Sequence, residues 1–163
     1  IRSDDPVLFC ESQSLYATRG EVPGDPDLLV PLGKAKVART GSDVTIVGWG
    51  PAVIDGLAAA DVLSAEGIDC EVIDLRTLVP LDMEPVLASV AKTGRCVVAA
   101  QAVLSGSYVN EVVARVVAEA FDDLDAPVAR IGAANGISPQ AEGLEAAFLP
   151  NAGDIAAAVR GLI

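Results

Sequence analysis

A chain of 163 residues with 52% hydrophobic side chains and only 4% aromatic ones is long enough for a single aliphatic core and too short for two comfortable domains. Twenty-three acidic against 11 basic residues leave a formal charge of -12, a field that repels phosphate backbones and anionic lipid and argues against nucleic-acid or membrane-surface partners. Histidine is absent, so the commonest general base and the commonest zinc ligand are both missing.

The start, IRSDDP with Ile1 in place of Met, reads as the tail of a linker and predicts a fragment or a processed piece. PVLFC (6–10) is an apolar run suited to a buried strand, and ESQSLYATRGEVPGDPD after it is a polar, Gly- and Pro-rich loop. Residues 1–25 are thus expected to form a linker and a first strand, and 26–163 the domain proper. KAKVARTGSDVTIVGWG places two β-rich runs on either side of Thr40, Gly41, Ser42 and Asp43, a composition that predicts a tight reversal and an antiparallel edge hairpin.

From residue 44 the pattern alternates strand and helix. Pro51 fits a first helical turn, Val53, Ile54, Leu57, Ala60 and Leu63 follow at helical spacing, and Gly67 ends that helix. CEVIDL is the next strand, and Asp82 is expected to cap a helix striped by Met83, Val86, Leu87 and Val90. RCVVAA is a further strand. The helix after it buries Val109, Val112, Val113, Val116 and Ala120, while Glu111, Arg115 and Glu119 make a solvated charge row. APVARI gives another strand, and Asp154 begins a terminal helix ending near Ile163. Repeated strand-helix-strand units predict a three-layer α/β/α fold with a mostly parallel five-stranded sheet and one antiparallel edge strand.

Candidate chemistry is sparse. The apolar runs stop short of the ~18 residues needed to cross a bilayer, so a cytoplasmic protein is expected. Cys10, Cys70 and Cys96 are odd in number and far apart, each in or beside an apolar run, which predicts buried structural thiols. GWGPAV (48–53) has two glycines of a dinucleotide-binding turn but Val53 where the third belongs, so a plain turn is expected. Asp74 and Arg76 stand at the carboxyl end of a strand, where an ion pair that fixes the DLRTLVPLD loop is the simpler reading than a catalytic pair. The turn within VVAAQAVLSGSYVNEVVARVV (97–117) has the position of an active-site turn and no titratable side chain between the strand and the helix.

The order of PVLFCESQSLY, GEVP, VPLGKAKVARTGSDVTIVGWG, EVIDLRTLVPLD, VAKTGRCVVAAQ, LDAPVARI and LEAAFLPN resembles the carboxyl-terminal domain of the beta subunit of thiamine-diphosphate-dependent 2-oxo acid dehydrogenases. Related domains close transketolases and deoxyxylulose-phosphate synthase. The resemblance implies that thiamine diphosphate and magnesium are held by an alpha subunit. The amino-terminal domain of the beta subunit supplies the activating glutamate and a catalytic histidine, so no catalytic, cofactor or metal residue is expected in this chain. What it leaves to this chain is assembly with a second beta subunit around a two-fold axis and docking of a lipoyl acyltransferase. The resemblance points to Asp125, before Ala126 and Pro127, and to Ile163 as docking residues, with a solvated acidic loop of Asp122, Asp123 and Asp125 as the plainer alternative. Gln101, Gly106 and Tyr108 are the interface candidates.

Where that family carries a pattern like HEAPxTGGFGAE, Ala100 to Glu111 keep the length, with Gln101 for the acid, Val103 for proline, and Ser107 and Val109 for two glycines. Ala134, Asn135 and Gln140 likewise replace the expected Pro, Asp and Tyr. Two other readings stay open beside the dehydrogenase: a diverged transketolase-like subunit that moves a two-carbon ketol unit, for instance to a carrier protein, and a non-catalytic interaction module.

Overall fold

The computed structural model describes residues 3–163, so Ile1 and Arg2 of the expected linker lie outside the described residues. Its core is a five-stranded sheet: β1 (Lys36–Arg39), β2 (Val44–Gly48), β3 (Cys70–Asp74), β4 (Cys96–Val103) and β5 (Ala129–Ala133), in the order β1-β3-β2-β4-β5. β2, the central strand, is buried along its whole length and pairs in parallel with β3 and β4, and β4 pairs in parallel with β5. β1 alone runs antiparallel.

Two-residue alternation along these strands divides the core. Val44 and Ile46, Val72, Val97 and Ala99 face α1 (Pro51–Ala65) and α5 (Ala152–Arg160), while Val47, Ile73, Val98 and Ala100 face α2 (Glu84–Thr93) and α3 (Tyr108–Ala120). Each fully buried Val, Leu or Ile side chain stabilises by roughly 1.5–3 kcal/mol, so the two aliphatic layers carry the fold despite the scarcity of rings. The three-layer α/β/α architecture with a mostly parallel sheet is as the sequence predicts.

Pro51 occupies the first turn of α1, and that helix ends at Ala65 with Glu66 as its cap and Gly67 at φ +84°. The helix buries Val53, Ala60 and Leu63, but Ile54 of the predicted stripe is exposed. Met83, Val86 and Val90 of α2, and Val109, Val112, Val116 and Ala120 of α3, are buried as the spacing requires. On the outer side of α3, Arg115 Nε meets Glu119 Oε1 at 2.7 Å. The arginine of α5, Arg160, grips Glu66 with Nε and Nη2 at 2.9 and 2.6 Å, clasping α5 to the end of α1.

Five local expectations fail for identifiable reasons. PVLFC is no strand: Leu8 and Phe9 are 90% and 79% exposed, and no strand lies beside them. Cys10 is exposed with them, so only Cys70 and Cys96 are the buried thiols expected; burial pushes Cys70 up to about 11 and Cys96 up to about 12.

Residues 40–43 do not close a hairpin. They lean across the start of β3, where Ser42 and Asp43 N–H donate to the Asp69 carbonyl and Gly41 N–H reaches Glu71 Oε2, so β3 lies between β1 and β2. Gly41 is required there because any Cβ would overlap the Cys70–Glu71 peptide.

Asp82 does not cap α2. Its Oδ2 accepts from Ala35 N–H at 3.1 Å and lies 3.8 Å from Lys34 Nζ, and Met83 takes the cap position instead. The carboxylate is drawn to the chain entering β1. Asp154 sits in the third position of α5, closing a reciprocal cap with Asn151, so the helix starts at Ala152.

Candidate functional site

The carboxyl ends of the parallel strands form a crest, and the chain moves outward from β2 to β3 before crossing to β4. The gap between β2 and β4 is therefore the switch point at which open α/β sheets usually hold ligands. Here two of the chain's own rings meet. Trp49, following β2, meets Tyr108 at the start of α3 edge to face, with centroids 6.4 Å apart and planes at 89°. The Tyr108 hydroxyl donates to the Leu78 carbonyl at 2.6 Å, tying α3 to the loop after β3.

Other crest groups are held internally. Arg76 N–H donates to Asp74 Oδ1 at 3.0 Å, and its Nε lies 4.0 Å from Oδ2, so the pair fixes its own loop, with Arg76 at φ +56°. Asn110 Nδ2 donates to the Leu104 carbonyl, and its Oδ1 accepts from Arg130 Nη1, both at 2.7 Å.

Ser107 stands at the cap position of α3 without capping it, and its buried Oγ has no hydrogen-bond partner among the described residues. Gln101 is half-buried on β4, and Gly106 is exposed at φ +71°. These two and Tyr108 share the crest, but the Tyr108 hydroxyl and one edge of its ring are taken up internally.

A magnesium diphosphate does not fit these residues. Among the described residues no group of three or more His, Cys, Asp or Glu side chains could hold a metal ion, and the crest cavity of about 450 Å³ lined by Gly106, Ser107, Tyr108, Asn110 and Glu111 presents one carboxylate and no lysine or arginine to a diphosphate.

The second candidate region is at the opposite, amino-terminal edge of β4. Asp125 N–H donates to the Gly94 carbonyl at 2.8 Å, and Arg95 Nη1 lies 3.8 Å from Asp125 Oδ2. Arg95 Nε also donates to the Leu162 carbonyl at 2.9 Å. One guanidinium thus lies against the predicted docking residue Asp125 and holds Leu162, the neighbour of the other, Ile163. Both point outward, with the Asp125 side chain 65% and Ile163 63% exposed. Val117, Phe121, Leu124 and Pro127 line a shallow groove that also includes Asp122 and Asp125. Sequence reasoning missed Arg95; the only signal was the position of this cation in KTGRC, between a helix-ending glycine and a buried strand.

A family model described as the transketolase C-terminal domain matches residues 33–155. The chain belongs to that family.

This transketolase C-terminal domain is 41% identical over 162 residues to the pyruvate dehydrogenase E1 component subunit beta of Rhizobium meliloti (strain 1021), covering 99% of the chain and 35% of that protein. It is 42% identical over 160 residues to the beta subunit of acetoin:2,6-dichlorophenolindophenol oxidoreductase of Cupriavidus necator (strain H16), covering 98% of the chain and 47% of that subunit. Among solved structures, a split gene transketolase, described as an inactive beta4 tetramer, matches with TM-score 0.73 at 32% identity over 85% of this chain and 45% of its own. The chain therefore spans between about a third and a half of the length of the relatives it matches.

Proposed function

We propose that this chain is the assembly and docking domain of the beta subunit of a thiamine-diphosphate-dependent 2-oxo acid dehydrogenase, the enzyme that decarboxylates a 2-oxo acid and passes the acyl group to lipoyl. The observation that carries this reading is the likeness to a pyruvate dehydrogenase beta subunit along essentially the whole chain. In this reading the cofactor and its magnesium are bound by an alpha subunit together with an amino-terminal beta domain, and the enzyme works in the cytoplasm.

The crest around Gln101, Gly106 and Tyr108 meets the second beta subunit. Asp125 and Ile163 meet the acyltransferase's small binding domain: a carboxylate to pair with an arginine and an apolar side chain to cover the contact. The groove beside Asp125, with Phe121 69% exposed, and the chain's negative charge supply the complement to a basic, partly apolar partner.

A second reading has its own support. The split gene transketolase is a structural relative above 30% identity, and four positions of the segment 100–111 depart from the dehydrogenase pattern. In that reading the assembled enzyme moves a two-carbon ketol unit.

The experiment is reconstitution with the alpha partner and a complete beta subunit, scored by mass spectrometry of a lipoyl domain. Acetylation from pyruvate, dependent on thiamine diphosphate, is the expected result. Turnover with a sugar-derived ketol donor alone removes the dehydrogenase reading, and turnover with neither leaves an interaction module.

A further inference from the structure

Arg95 is built into the sheet from behind. Its carbonyl accepts from Thr45 N–H of the central strand at 2.9 Å and from the Thr93 hydroxyl at 3.1 Å, so its Cα is held by the best-packed part of the molecule. From that anchor its half-buried side chain touches two segments far apart in sequence: Nε holds the Leu162 carbonyl and Nη1 faces Asp125. Asp125 is seated independently by its bond to the Gly94 carbonyl. Gly94 has φ +67°, and a Cβ there would run into the Asp125 carboxylate. The Arg95 to Asp125 separation of 3.8 Å is longer than a charge-assisted hydrogen bond, so the carboxylate keeps its capacity for an outside cation.

We propose that Arg95 is the positioning residue that holds Asp125 and the segment ending at Ile163 as one two-point recognition site. It rests on the docking reading above and adds to it the reason the two points keep a fixed spacing. The partner is a domain that presents an arginine or lysine beside an apolar patch. A partner meeting a preset pair of contacts does not lose the affinity that ordering a loose terminal segment would cost.

Electrostatics and positioning predict opposite signs. If Arg95 acts only as a nearby charge, its removal frees Asp125 and tightens binding of a cationic partner. If it positions, removal weakens binding.

The test is calorimetric titration of the lipoyl acyltransferase from the same source into the assembled enzyme, with a melting temperature recorded for each variant. Arg95→Met is expected to weaken binding about tenfold, the scale of one lost contact to a charged group. Arg95→Lys, able to reach one anchor but not both, is expected to recover part of that loss. Ile163→Ala is expected to cost about fivefold in the native background and under about twofold beside Arg95→Met, because coupled contacts are not additive. Tighter or unchanged binding by Arg95→Met overturns the inference, as does additivity of the two substitutions, including where only the melting temperature falls. Failure of the native enzyme to bind removes the docking reading and this inference with it, whereas native binding that Arg95→Met leaves intact removes the inference alone.

Discussion

Tyr108 Oη and the Leu78 carbonyl, 2.6 Å apart, tie the start of α3 to the loop after β3 across the sheet's crest. With Trp49 against the same ring, this tie lies at the place where a doubly wound fold ordinarily receives a ligand. Tyr108→Phe keeps the ring contact and strands one part-buried carbonyl, so it is expected to destabilise by about 1 kcal/mol in denaturant titration. Trp49→Ala is expected to cost more, about 2–3 kcal/mol, through lost area and the lost edge contact.

Ser107 makes an unusual cap. Replacing a working serine cap by alanine costs about 1 kcal/mol. Here the hydroxyl bonds to nothing in its own helix and is buried without a partner among the described residues, so Ser107→Ala is expected to be neutral or slightly stabilising. A loss near 1 kcal/mol in the same titration would mean that the hydroxyl does cap α3 in solution.

Glu71 sets an acid limit on stability. Burial pushes its carboxyl up, but the Lys92 ammonium at 2.6 Å, the Ser89 hydroxyl and the Gly41 N–H together hold it below the ordinary 4.5. A carboxylate depressed in the folded state contributes stability that is complete above its unfolded value and lost as pH falls through the lower folded one. Acid unfolding followed by circular dichroism should therefore set in below about pH 4.5. Lys92→Met should move that onset upward and cost about 1–2 kcal/mol at neutral pH, less than a fully buried pair because Lys92 is half in solvent.

The three cysteines should separate cleanly. Burial raises the Cys70 and Cys96 thiols to about 11 and about 12, leaving them protonated and inaccessible at neutral pH, while Cys10 is exposed. An aromatic disulfide reagent is expected to titrate one thiol of the native 163-residue chain quickly and the other two only on unfolding. Equal labelling of all three would contradict the burial of β3 and β4.

The parts of the fold that were legible in the sequence are those whose burial leaves a pattern. Val44 to Gly48 and Cys96 to Ala100 read as strands because they are short runs buried on both faces, and the stripes at Val86 and Val90 and at Val109, Val112 and Val116 read as helices because each faces the core at fixed intervals. Composition misled at PVLFC, since an apolar run reports suitability for a strand and not the presence of a neighbour to pair with. The β1 partner was hidden for a related reason: residues 40–43 are turn-like, but their N–H groups are satisfied by Asp69 and Glu71 across β3 and not by a hairpin. The short helix α4 (Glu142–Phe148) buries no residue fully and so leaves no stripe to detect. At the docking region, the resemblance supplied Asp125 and Ile163, whereas Arg95, which connects their segments, depends on contacts between residues far apart in sequence.

The central claim is that this chain is scaffold and contact surface, with the reacting groups on other polypeptide. Calorimetric titration of thiamine diphosphate with magnesium into the isolated 163-residue chain tests it most directly. The account predicts no saturable heat at any accessible concentration; stoichiometric binding abolished by Trp49→Ala or by substitution at Asp74 would contradict it.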